Sequence, residues 1–150
     1  MPLIGVPNSI SADLLYALAR AGHGDKIVIA DANFPADSIA VTASIPAPIR
    51  INGSTSDILE DILKLLPLDQ YVEYPIAVMD RVSADKDRKL PVPAYAKIAA
   101  ASRREVSSLD YIERYKFYEL AKNAFVVVQT TDTTLYSNVI IYKGVIWSMN

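Results

Sequence analysis

The chain has 150 residues, 51% of them hydrophobic, and a formal net charge of −2. That length suits one domain with a full-sized core, and the apolar content argues against disorder. No basic run exceeds the pair Arg103-Arg104, which argues against nucleic acid as a partner, and the lack of cysteine excludes disulfides, thiol catalysis and cysteine metal sites. The first residues, Met1 to Pro7, have neither a basic start nor a long apolar stretch, so no signal peptide is expected. The purely apolar runs fall far short of a membrane span. The expectation is a soluble, cytoplasmic, single-domain protein over residues 1–150.

The first helix is expected from Ser11, a good N-cap, with Leu14, Leu15 and Leu18 on its apolar face and Gly22 as a left-handed cap. Ile27 to Ala30 reads as a short buried strand. Asp31 to Pro48, punctuated by Pro35, Pro46 and Pro48, reads as mostly loop anchored by Ile39 and Val41. Ile49 to Ile51 reads as a second strand, ended by Asn52-Gly53. Ser54 to Leu66 is the most secure helix: Ser54 and Asp57 have capping-box spacing, and Ile58, Leu59, Ile62, Leu63 and Leu66 form a stripe of period 3.6 before Pro67.

Ile76 to Val82 reads as a strand, and Ser83 to Lys89 as a solvated loop of alternating charge. Pro93 to Val106 reads as an Ala-rich helix with Arg103 and Arg104 in its last turns. Asp110 to Ile112 is extended, Glu113 to Asn123 helical with Phe117, Leu120 and Ala121 inward. Phe125 to Gln129 and Val139 to Tyr142 are strands joined by the polar loop Thr130 to Asn138. Lys143-Gly144 turns the chain before Val145-Ile146-Trp147. Helices alternating with strands predict an α/β fold, a mixed or mostly parallel sheet flanked by helices.

The single histidine, His23, sits between glycines in Gly22-His23-Gly24-Asp25, just before the first strand. Histidine is the side chain that gives and takes protons most readily near neutrality. A histidine that merely falls in a helix C-cap is the competing reading. Asp31 follows the same strand, where α/β sheets tend to bind ligands, although a turn cap would need an aspartate equally. The loop Thr130 to Asn138 is dense in hydroxyl and amide groups that suit a polyol, or simply a polar hairpin. No nucleotide fingerprint and no Gly-x-Ser-x-Gly elbow is present, and one histidine without cysteine argues against a tight zinc or copper site. Cofactor-free acid–base chemistry remains. Arg114 and Tyr118, four apart on a predicted helix, share a face, as do Tyr136 and Asn138, two apart beside a strand. An ion pair with Asp110 is the competing role for Arg114.

These pieces together resemble the fucose mutarotase and ribose pyranase family. The matching segments are Ser11 to Asp25, Ile29 to Pro35, Arg114 to Glu119, Leu135 to Ile140 and Lys143 to Val145. The Gly-His-Gly-Asp pattern and Phe117-Tyr118 favour the fucose branch. The resemblance implies a ribose pyranase-like fold and conversion of sugar anomers without a cofactor or metal. It also implies self-association into rings, decamers among them, with a free monosaccharide, foremost L-fucose, as ligand. By resemblance His23 donates the proton, Tyr118 is a second acid–base group, and Asp31 binds or orients the sugar. Arg114, Tyr136, Ser137 and Asn138 complete the pocket.

Two positions depart from the family pattern. Thr131-Asp132 stands where relatives carry Gly-Glu, and Ser137 where glycine or alanine is usual. Both changes bear on substrate identity more than on reaction type. A ribose pyranase-like exchange of ring size is the alternative within the family. A sugar-binding protein without turnover is the alternative outside it, and the Thr131-Asp132 change is its best support.

Overall fold

The computed structural model describes residues 2–149. In chain order it contains α1 (Ala12–Arg20), β1 (Lys26–Ala30), α2 (Ala36–Ala40), β2 (Ile49–Ile51), α3 (Thr55–Leu63), β3 (Ile76–Met79), α4 (Ser83–Asp87), α5 (Pro93–Ala101), β4 (Asp110–Ile112), α6 (Arg114–Lys122), β5 (Val126–Thr130) and β6 (Val139–Tyr142). The six strands form one sheet in the order β2-β5-β1-β6-β3-β4. Strand β6 runs antiparallel to both its neighbours, while β2, β5 and β1 pair in parallel, as do β3 and β4. The sheet is therefore mixed, and the expected α/β architecture is found.

Alternation along the strands sends side chains to two cores. Ile27 and Ile29 of β1 pack with Leu14 of α1, Ile58 and Ile62 of α3 and Ile98 of α5 on one face. Val28 and Ala30 pack with Ile39 of α2 and Phe117 of α6 on the other. Both faces of the central strands are covered, which is why β1, β3 and β5 read as continuous apolar runs rather than alternating ones. Among the described residues, no helix is long and apolar enough to cross a membrane.

Several boundaries differ from the sequence reading. Gly22 is not a left-handed cap: α1 ends on an extended Ala21, and the positive φ of +80° belongs to Gly24. The cap is replaced by Lys143, whose Nζ donates to the carbonyls of Leu18 and Ala21 at 2.9 and 2.5 Å. Residues 36–40 form a short helix instead of loop, with Ile39 buried but Val41 65% exposed, so Val41 anchors nothing. Helix α5 stops at Ala101 because Arg103 adopts a left-handed backbone, φ 55°, and Val106–Ser108 form a separate 3-10 turn. Strand β3 ends at Met79 rather than Val82, and the charged segment after it folds into α4.

Candidate functional site

The carboxyl ends of the parallel strands carry a cleft of about 320 Å³. Asp31 leaves the end of β1, Arg114 and Tyr118 stand on α6, and Tyr136 and Asn138 arrive on the loop before β6. All five line this cleft. Because β6 is antiparallel to β1, the start of β6 meets the end of β1, Val139 beside Ile29. That pairing brings residues more than a hundred positions apart into contact. A larger cleft, about 410 Å³, between the ends of α3 and α5 contains none of the sequence-predicted residues.

Asp31 and Asn138 grip each other twice. The Asp31 N–H donates to Asn138 Oδ1 at 2.8 Å, and Asn138 Nδ2 donates to Asp31 Oδ2 at 3.0 Å. Asp31 Oδ1 also accepts the Asn33 N–H at 2.9 Å, so the aspartate caps its turn and faces the cleft at once. Burial pushes the Asp31 carboxyl above its ordinary value of 3.8; bonds from Asn33, Asn138 and Phe34 offset only part of that.

Arg114 makes no ion pair with Asp110. Its Nε donates to Tyr118 Oη at 3.1 Å, the i,i+4 spacing placing both on one face of α6. The guanidinium lies 5.5 Å from the Tyr118 ring centroid, and Phe34 meets that ring edge-on at 5.6 Å. The Tyr118 contact pushes Arg114 further up from its already high value, so it stays a cation.

Tyr136 has a left-handed backbone, φ 60°, unusual for a bulky residue. Its hydroxyl donates to Asp85 Oδ2 at 2.5 Å and accepts the Val82 N–H at 3.1 Å. The Tyr136 contact, ahead of the bond from Arg88, holds the Asp85 carboxyl below 3.8. Asp85 and Val82 thus belong to the cleft wall, which corrects the reading of residues 83–89 as a merely solvated loop. Sequence reasoning missed both; five charges in a row look like a surface, and only the fold-back onto Tyr136 marks one of them.

Ser137 points the other way. It is buried, its Oγ donates to Asp132 Oδ2 at 2.9 Å, and it does not line the cleft. Its expected place among sugar contacts is not found in this cleft: the left-handed turn at Tyr136 and the bond to Asp132 direct Ser137 inward while Tyr136 and Asn138 face the cleft.

His23 also stands apart from the cleft, at the opposite end of β1 from Asp31. Five strand residues lie between the two ends, about 16 Å at a rise of roughly 3.3 Å per residue. There His23 Nε2 meets Asp69 Oδ1 at 3.0 Å. The His23 side chain is 48% exposed and that of Asp69 only 4%. The Tyr71 N–H, also bonded to Asp69 Oδ1 at 3.0 Å, is the main reason the Asp69 carboxyl lies below 3.8, with His23 adding to it. An ionised Asp69 can only accept, so Nε2 carries the proton and Nδ1 is left free. Asp69 is the third residue missed by sequence reasoning; it lies 46 positions from His23 with no spacing signal. Among the described residues, no three His, Asp or Glu side chains gather into a metal-holding group.

Comparison with known proteins identifies the family. Residues 5–146 match the model of the RbsD / FucU transport protein family. The chain is 52% identical over 147 residues to fucose mutarotase of Homo sapiens, covering 96% of this chain and 94% of that one. It is 38% identical over 144 residues to L-fucose mutarotase of Actinobacillus pleuropneumoniae serotype 5b, covering 95% and 96%. Among solved structures it resembles the fucose mutarotase in complex with L-fucose from Streptococcus pneumoniae. The TM-score there is 0.79 at 36% identity, over 97% of this chain and all of that one. With the family model matched over residues 5–146 and a fold shared with that mutarotase over nearly its whole length, this chain belongs to the RbsD/FucU family.

Proposed function

We propose that this protein interconverts the α and β anomers of L-fucose by cofactor-free acid–base ring opening, in the cytoplasm, as a ring-shaped homo-oligomer. The observation that carries the reading is the convergence of Asp31, Arg114, Tyr118, Tyr136 and Asn138 on one cleft. The names and activities of the relatives agree with it.

The chemistry needs a base for the anomeric hydroxyl and an acid for the ring oxygen. As one proton leaves the hydroxyl and another reaches the ring oxygen, the C1–O5 bond breaks and C1 becomes an aldehyde. Rotation about C1–C2 and reclosure give the other anomer and return both protons. Asp31 and Asn138 orient sugar hydroxyls. Tyr118 exchanges a proton at Oη while Arg114 Nε, 3.1 Å away, steadies the negative charge that develops there. His23 is the other proton carrier, held by Asp69 at Nε2. Positioned groups of this kind contribute about 10²- to 10⁴-fold each.

Within one chain His23 cannot reach the cleft, so each site is completed by the His23–Asp69 pair of a second copy. Its surroundings suit burial against a neighbour. Tyr71, Ile146 and Trp147 are exposed, and Gln70 ties this segment to the chain end through bonds to the Val145 carbonyl and N–H at 2.9 and 3.1 Å. Exposed apolar surface of this kind commonly marks an interface. A closed ring, ten copies by the family resemblance, repeats such a head-to-tail contact without free ends. The Thr131-Asp132 change no longer favours a non-catalytic binder, because neither residue lines the cleft.

The test is anomer exchange followed by NMR on chelator-treated protein with fucose, galactose, ribose and rhamnose. Faster exchange of α and β L-fucose than in buffer is expected. No acceleration with any sugar of the panel refutes the enzyme.

A further inference from the structure

Asp132 lies outside the cleft, yet the loop before β6 and the turn at Asp31 are both tied to it. Its Oδ2 accepts the Thr55 N–H, at the first turn of α3, and the Ser137 hydroxyl, both at 2.9 Å. Its Oδ1 accepts the Thr134 N–H at 2.8 Å. Its backbone carbonyl accepts the Ala32 N–H at 2.8 Å, next to Asp31. Thr55, itself fully buried, closes the arrangement by donating from Oγ1 to the Ser137 carbonyl at 2.8 Å.

One half-buried carboxylate thus links α3, the loop 131–138 and the Asp31 turn. We infer that Asp132 is a positioning residue for sugar binding: it holds the loop that carries Tyr136 and Asn138, and the Asp31 turn bonded to that loop, in the geometry that accepts the sugar.

The strength of the hold follows from its chemistry. Hydrogen bonds to an ionised carboxylate are roughly twice as strong as neutral ones. Burial alone would push Asp132 up, but the N–H groups of Thr134 and Thr55, with the hydroxyls of Thr134 and Ser137, outweigh it and keep the carboxyl below 3.8. The loop needs such a hold. Tyr136 keeps a left-handed backbone, φ 60°, and a non-glycine residue stays there only where its surroundings over-determine it. Asn138 Oδ1 and Nδ2 are both spent on Asp31, so a shift of this loop would move the carboxylate that faces the sugar.

The inference rests on the reading of the cleft as the sugar site, and the experiment separates the two. The variants are Asp132→Asn and Asp132→Ala, with folding checked by circular dichroism. In the free protein, hydrogen exchange at the Asn138 side-chain amide reports the loop without any sugar. In the bound protein, L-fucose titration and anomer-exchange kinetics report the site. Faster Asn138 exchange is expected, together with a Kd and KM for L-fucose raised about tenfold, the worth of one hydrogen bond to a charged group, and kcat unchanged within about threefold.

A purely structural residue would reduce the folded fraction and leave the KM of the folded molecules alone; that outcome, or unchanged Asn138 exchange, overturns the inference. If either variant fails to fold, Ser137→Ala removes one of the donors to the carboxylate and should raise Kd about threefold, the worth of one ordinary hydrogen bond. No change there overturns it equally. Should the wild-type protein not bind L-fucose at all, the sugar reading fails, while the Asn138 exchange still decides whether Asp132 holds the loop.

Discussion

Two inactive variants of this protein should restore each other's activity when mixed. His23→Asn removes the proton carrier at one end of β1 and leaves the cleft intact. Tyr118→Phe removes the phenol at the other end and preserves the ring packing, since the edge-on contact with Phe34 at 5.6 Å involves no hydroxyl. Each variant alone should lose about 10²-fold or more in rate. The separation of about 16 Å along β1, five residues at roughly 3.3 Å each, is beyond the reach of an imidazole side chain. On the proposed reading, a working site takes its cleft from one copy and its histidine from the next. After unfolding and refolding a one-to-one mixture, each half is intact with a chance of one in two. Roughly a quarter of the sites then regain both intact halves in a closed assembly of identical contacts. The assay is exchange of α and β L-fucose by NMR, before and after subunit exchange. Recovery to about a quarter of wild-type rate is the expected result under that random-assembly arithmetic. A refolded mixture no more active than the average of its two components would refute the shared site and, with it, the role assigned to His23.

Other perturbations test other links. Arg114→Lys keeps the charge but loses the planar fork that reaches Tyr118, and should weaken L-fucose binding by about 1–3 kcal/mol; an unchanged Kd in a titration would return Arg114 to a surface role. Because burial holds the Asp31 carboxyl above 3.8, it takes up its proton at higher pH than a solvated aspartate, so L-fucose affinity should fall as pH decreases, with a midpoint above 3.8; affinity flat to that pH contradicts the assignment. Gly144→Ala should lower the thermal midpoint through an overpacking cost of about 1–3 kcal/mol, since a Cβ there would stand 2.6 Å from Gln70 Oε1 and closer still to the Leu68 carbonyl oxygen; an unshifted melting curve would show that the segment gives way freely.

Much of the fold was legible because its signals are local. The Ser54 cap forms as its spacing predicts, with Ser54 Oγ accepting the Asp57 N–H at 3.1 Å, and the apolar stripe of α3 is buried. The apolar runs of β1, β5 and β6 are strands for the reason their composition suggests, burial on both faces. What could not be read locally went astray. Gly22 looked like the natural end of α1, but the carbonyls there are satisfied by Lys143, more than 120 positions away. The segment 83–87 has the composition of an exposed loop and is mostly exposed; only Tyr136, brought over by β6, gives Asp85 a place in the cleft.

The candidate site shows the same division, with one lesson in its geometry. The pair Arg114 and Tyr118 follows from the helix period, and it meets Tyr136 and Asn138 in one cleft; the second pair is placed by a left-handed turn ahead of β6, which no strand period predicts. His23 and Asp31 lie only eight positions apart and flank one strand. A strand, however, is the most extended spacer a chain has, and its two ends are the farthest places that so few residues can reach. Chain proximity across β1 therefore argues for separation within one molecule. The partner that His23 does find, Asp69, carries no sequence signal, because it is set by the bonds from the Asp69 N–H to the Tyr142 carbonyl and from the Gly144 N–H to the Pro67 carbonyl, at 2.9 and 2.8 Å. Under the proposed function, an acid–base pair held so firmly at the edge opposite the cleft, with the histidine half exposed, meets its cleft on another copy, and assembly becomes a condition of the chemistry.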